Sequence, residues 1–148
     1  MDAPPIVEQN IGLYVLSSDP ARVDIDAVHR WLSEESYWAA GRDRDLVAAS
    51  WANTLLVGGA YRGGEMVAAA RMVTDLATFG WLCDVFVDRD HRGNGLGVAV
   101  AGLLIEHPSV AGIKRQLLAT NDAHEVYRRY GYSELVGAEK WMVRGAQL

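Results

Sequence analysis

The run LGVAVAGLLIE, Leu96–Glu106, is apolar on nearly every side. A helix without a polar face has to be buried, so the chain must supply a sheet for it to lie against. FGWLCDVFV before it and KRQLLAT after it carry the apolar, aromatic and β-branched residues of strands. Strand, helix, strand in that order is a parallel crossover unit, and such units are right-handed in nearly all cases. The helix is expected to stop before Pro108, because the residue preceding a proline is biased away from helical backbone.

The remaining elements complete an α/β layered domain. IGLYVLSS predicts a first strand, and DPARVDIDAVHRWLSEE a helix, with Val23, Ala27, Val28, Trp31 and Leu32 on one face. A loop and a short helix near Leu46–Trp51 come next. Two apolar runs around Arg62-Gly63-Gly64 predict an antiparallel hairpin, because paired glycines permit positive φ at the turn. FGWLCDVFV is then the fourth strand and KRQLLAT the fifth. NDAHEVYRRYGY predicts a helix capped by Asn121 or Asp122 and ended by Gly131. SELVGAEKWMVR predicts two final strands across Gly137. The expected fold is a mixed sheet with helices on both faces, built as one domain over residues 1–148.

Composition excludes several function classes. The net charge of −5 argues against a nucleic-acid grip, which normally shows as a basic face. Residues 1–87 carry a net charge of −6 and residues 88–148 a net charge of +1. That asymmetry fits a cationic substrate at the front and an anionic cofactor at the back, and solvated surfaces would give the same counts. Cys83 is the single cysteine, so there is no internal disulfide and no cysteine metal cluster. No apolar run approaches the roughly 20 residues of a membrane span, and MDAPPIVEQN lacks the features of a signal peptide. The expectation is a cytoplasmic protein without membrane contact.

Between the fourth strand and the apolar helix lies VDRDHRGNGLG, with glycine at 93, 95 and 97. Glycine inside a helix start costs roughly 1 kcal/mol against alanine, so bare backbone here implies a close approach. A strand leading through such a loop into a helix aims several backbone N–H groups at one point, with the positive end of the helix dipole behind them. Arg92 adds a guanidinium suited to phosphate oxygens. A diphosphate cradle follows; the alternative is a glycine turn serving helix-on-sheet packing alone. A dinucleotide fingerprint would need glycine at 98 or 100, where valine stands, and a P-loop would need Gly-Lys-Ser/Thr, which is absent.

HRGNGLG resembles the R/Q-x-x-G-x-G/A signature of the GNAT superfamily of acyl-CoA N-acyltransferases, with Arg92, Gly95 and Gly97 at the marked places. EVYRRYGY is similar to the family's Tyr-x-x-x-Gly-Phe/Tyr element, with Tyr127, Gly131 and Tyr132 matching, and the two span about residues 81–132. The resemblance implies a mostly antiparallel sheet splayed between its fourth and fifth predicted strands, with acetyl-CoA in the slot. Its pantetheine arm would lie on the backbone of Val85, Phe86 and Val87, and its diphosphate on Arg92, Gly93, Asn94, Gly95, Leu96 and Gly97.

Acyl transfer to an amine needs a neutral nucleophile, donors for the developing oxyanion and a proton for the departing thiolate. The resemblance makes Tyr127 the general acid, against the alternative of a core tyrosine; backbone N–H groups near Phe86 or Val87 would meet the oxyanion. KRQLLAT has no carboxylate, so Asp84 is the nearest candidate base, and a hydrogen-bonded strand aspartate is the alternative. Family members often place an asparagine seven residues before the tyrosine; here that position is Thr120, and Asn121 follows it. His124 lies on a neighbouring helix face, and Cys83, without an evident basic partner, reads as a packing thiol.

Tyr37 and Trp38 supply aromatic surface for the acceptor, with Glu34 and Glu35 to receive an amine; Trp81 and Asp75 are further candidates, and a helix end packing its aromatics is the alternative. The expected activity is direct, metal-free transfer of acetyl from acetyl-CoA to a primary amine of a small molecule or protein. The rival is a non-catalytic acyl-CoA sensor. Strand edges around EKWMVRG would suit a homodimer.

Overall fold

The computed structural model describes residues 2–147. Six strands form one sheet in sequential order: β1 (Glu8–Ile11), β2 (Tyr14–Ser17), β3 (Leu56–Arg62), β4 (Glu65–Thr74), β5 (Gly80–Val87) and β6 (Gln116–Leu117). All neighbours are antiparallel except β5 and β6, which run parallel. The β3–β4 hairpin closes through Gly63 and Gly64, both at positive φ, as a two-residue turn matched to strand twist requires.

Four helices flank the sheet: α1 (Ile25–Arg30), which runs on through a π-helical turn over Trp31–Glu35, α2 (Arg44–Ala52), α3 (Leu96–Ile105) and α4 (His124–Arg128). One core lies between the sheet and α3, where Val100, Ala101 and Leu104 pack on Leu56, Ala68, Ala70, Met72 and Leu82. A second core on the opposite face gathers Val28, Trp31, Leu32, Val47 and Trp51 around Val57, Ala69 and Phe86. The all-apolar α3 is thus buried by the sheet that its composition demands. Past its end, the buried His107 ring donates from Nε2 to Pro5 O at 2.9 Å and accepts the Ser109 N–H at 3.1 Å, tying the N-terminal segment down.

Three expectations are corrected. IGLYVLSS is broken at Gly12-Leu13, where Gly12 at φ +55° turns the chain into the β1–β2 hairpin. The fifth predicted strand shrinks to Gln116–Leu117. SELVGAEKWMVR forms no strand: between 133 and 147 the regular structure is a 3-10 turn over Ala138–Lys140. Gly137 at φ +76° leads into that turn, and Val136 and Met142 are almost fully exposed, so no alternation buries one face. The C-terminal strand edges expected to support a dimer are therefore not formed.

Candidate active site

β5 and β6 touch only at Gly80↔Gln116 and Trp81↔Leu117. Beyond Trp81 no further pairs form between them, so Leu82–Val87 have no strand on that side. Within this stretch β5 bulges: pairing with β4 slips between Ala69 and Arg71, and Asp84 takes φ +53°, which an aspartate tolerates better than most residues. The bulge turns the chain so that Asp84 meets the loop between α1 and α2, while Val85 and Val87 pack on the α3 side and Phe86 lies in the opposite core.

At the end of β5 the glycine loop has the conformation its sequence requires. Gly93 and Gly95 have φ of +82° and +72°, and an added Cβ would meet nothing within 4 Å at either, so the backbone there faces open space. Gly95 caps α3, whose first amides take no partner from their own helix. Gly97 serves close packing: a Cβ there would stand 3.3 Å from Val87 Cγ2. The Asn94 amide donates to His91 O at 3.0 Å, fastening the loop. Arg92 folds back on β5, donating from Nε to Val87 O at 3.2 Å with its guanidinium 5.3 Å from the Phe86 ring centre. Open backbone, free helix amides and an adjacent guanidinium fit a diphosphate.

Tyr127 enters from α4. A Schellman motif ends that helix: Gly131, at φ +90°, donates to Arg128 O, and Tyr132 N–H reaches back to Tyr127 O at 3.2 Å. The same turn sets the Tyr132 ring edge-on to Tyr127, with centres 5.9 Å apart. Burial, with Asp122 and Tyr37 nearby, pushes the Tyr127 phenol above the ordinary tyrosine value, so it holds its proton at neutral pH. Neither Asn121 nor Asp122 caps the helix: its N-cap is Ala123, with no side-chain cap, and the Ala123 N–H donates to Thr120 Oγ1 at 3.2 Å. His124 is exposed on the same helix.

Opposite lies the loop between α1 and α2. Tyr37 and Trp38 are both exposed and meet edge to face, with ring centres 4.9 Å apart. The Tyr37 hydroxyl accepts the Asn121 N–H at 3.2 Å, so the loop is tied to the segment that leads into α4. Trp38 Nε1 donates to Asp84 Oδ1 at 3.0 Å. Asp84 is not a free base. Arg71 Nε donates to its Oδ2 at 2.7 Å, and Arg42 Nη1 lies 3.3 Å from the same oxygen. Sequence reading missed both arginines, although a lone Arg71 inside the apolar run MVAAARMV signals a buried partner. Glu35 is paired with Arg89 at 3.3 Å, Glu34 is exposed, and Asp75 caps its own loop by accepting the amides of Ala77, Thr78 and Phe79. The Cys83 thiol is pushed up to about 12 by burial, which suits packing and not nucleophilic attack.

Residues 25–132 match the family model of the acetyltransferase (GNAT) family. A Gibberella zeae protein classed as an acetyltransferase is 31% identical over 140 residues, covering 78% of this chain and 76% of its own. A Xanthomonas campestris protein classed in the GNAT family superposes with a TM-score of 0.87 at 36% identity, over 93% of this chain and 96% of its own. A Clostridium acetobutylicum protein classed as an acetyltransferase, whose crystal structure contains acetyl-CoA, shares the fold at a TM-score of 0.65 and 16% identity, over 89% of this chain and 94% of its own. The chain belongs to the GNAT family of acetyl-CoA-dependent acyltransferases.

Proposed function

We propose that the chain transfers acetyl from acetyl-CoA directly to a primary amine in the slot between β5 and β6. The observation that carries this reading is the end of pairing between those strands beyond Trp81 and Leu117, together with a glycine loop whose backbone faces open space. Acetyl-CoA supplies the activated thioester. The amides from Arg92 to Gly97 and the Arg92 guanidinium hold its diphosphate. The backbone of Val85, Phe86 and Val87, which faces no strand on the β6 side, aligns the pantetheine arm, and an N–H at the bulge meets charge developing on the acetyl oxygen. Tyr127, protonated at neutral pH, donates to the departing sulfur.

Asp84 is assigned a positioning role. Its carboxylate is engaged by Arg71, Arg42 and Trp38, so it orients the acceptor wall while the amine gives up its proton to water. Tyr37 and Trp38 form that wall. Release of CoA thiol that depends on added amine tests the reading. Binding of acetyl-CoA with no such dependence would favour an acyl-CoA sensor instead.

A further inference from the structure

The overall acidity of the front half suits a cationic acceptor, but the buried charges of the acceptor wall have the opposite sign. Three ionisable side chains meet there: Asp84, with 2% of its side chain exposed, Arg71 with 11% and Arg42 with 24%. Two guanidinium groups therefore share one carboxylate, leaving a positive charge unmatched.

The geometry shows which arginine carries it. Arg71 is fully engaged, with Nε on Asp84 Oδ2 at 2.7 Å and Nη1 donating to Thr54 Oγ1 at 3.2 Å. Arg42 reaches Asp84 through Nη1 alone, at 3.3 and 3.4 Å. Its Nε and Nη2 have no protein acceptor among the described residues. His29 holds its backbone in place, with the ring Nε2 3.1 Å from Arg42 O. The acidic side chains nearest in sequence are occupied or turned to solvent: Asp43 caps α2, Asp45 and Glu34 are exposed, and Glu35 is paired with Arg89.

A chain of contacts joins Arg42 to the segment that carries Tyr127. Asp84 links it to Trp38, Trp38 stacks edge to face with Tyr37, and Tyr37 is bonded to Asn121 just ahead of the helix that carries Tyr127. A half-buried guanidinium with two free donors in a planar fork is built for a bidentate oxyanion, above all a carboxylate. It also repels a polyamine or a lysine-rich peptide.

We propose that the acceptor is a small molecule bearing both a primary amine and a carboxylate, with Arg42 binding the carboxylate and the Tyr37–Trp38 wall enclosing the stem between. This inference rests on the acetyl transfer proposed above.

The test compares acceptors matched in stem and amine: 4-aminobutanoate against butylamine, and free α-amino acids against their α-amides, each across pH so that amine ionisation is separated from recognition. The wild-type protein should prefer the carboxylated member of a pair by about tenfold or more in kcat/KM, the scale of a charge-assisted bidentate contact. Arg42→Gln should collapse that ratio to near unity, chiefly by raising KM for the carboxylated member. Arg42→Lys, which keeps the charge without the fork, should retain part of it. Calorimetric titration with acetyl-CoA, run on each variant, reports folding and donor binding separately. Equal use of both members by the wild type, preference for alkylamines, equal loss on both members in Arg42→Gln, or donor binding without turnover of either series would each overturn the inference. Failure of acetyl-CoA to bind the wild type would instead remove the transferase reading beneath it.

Discussion

Arg71 on β4 and Asp84 on β5 form an ion pair of 2.7 Å across the one irregular step of their ladder, with both side chains almost wholly removed from solvent. The bulge that puts Asp84 at φ +53° delivers its carboxylate to the guanidinium. Asp84→Ala leaves Arg71 buried and unpaired, and should lower unfolding free energy by about 3–5 kcal/mol in urea titration. Asp84→Asn should cost less, since asparagine tolerates the same backbone and still accepts one hydrogen bond.

Tyr127→Phe should lower kcat by about a hundredfold, the usual weight of a positioned general acid. The sign of the pH effect follows from the burial that raises this phenol. An acid works while protonated, so its contribution is present below the raised value and lost above it. The wild-type rate should therefore hold past the ordinary tyrosine range before an alkaline fall, and the phenylalanine variant should lack that limb. A fall set near pH 7 would contradict the assignment.

Gly95→Val forces a β-branched residue into left-handed backbone at φ +72°, which should cost about 1–2 kcal/mol of stability. It should also weaken acetyl-CoA binding by at least about tenfold, because a helix N-terminus holds an anion only while its amides can be approached. Thermal unfolding and calorimetry on the same sample separate the two effects.

Cys83 should react slowly with iodoacetamide in the folded protein at pH 7.5 and readily in urea. Burial pushes its thiol up to about 12, and the thiolate is the reacting form. Rapid labelling of the folded protein would mean that this face of the sheet is open.

The parts legible in the sequence are those whose signal is local. The all-apolar run 96–105 declares a buried helix, and Gly93-Asn94-Gly95 declares bare backbone at its start. The Tyr127–Gly131–Tyr132 spacing is that of a Schellman turn, which explains why a tyrosine and a glycine four residues apart belong together. The acceptor wall was not legible in that way. Asp84 meets Arg71 and Arg42 across 13 and 42 residues of chain, and only the fold brings them together. Asn121 has a residue type that favours capping, yet the N-cap of α4 is Ala123, with no side-chain cap, because the helix starts beyond Asn121. The C-terminal segment failed as strands because Leu135, Val136, Trp141 and Met142 alternate with nothing that could set one buried face.

The most direct test of the central claim is calorimetric titration of the wild-type protein and an Arg92→Ala, Gly95→Val double variant with acetyl-CoA. One-to-one binding by the wild type, lost or weakened at least about a hundredfold in the folded double variant, is the predicted result. Equal binding by both proteins would place the cofactor elsewhere, and no binding by the wild type would leave the glycine loop with a packing role alone.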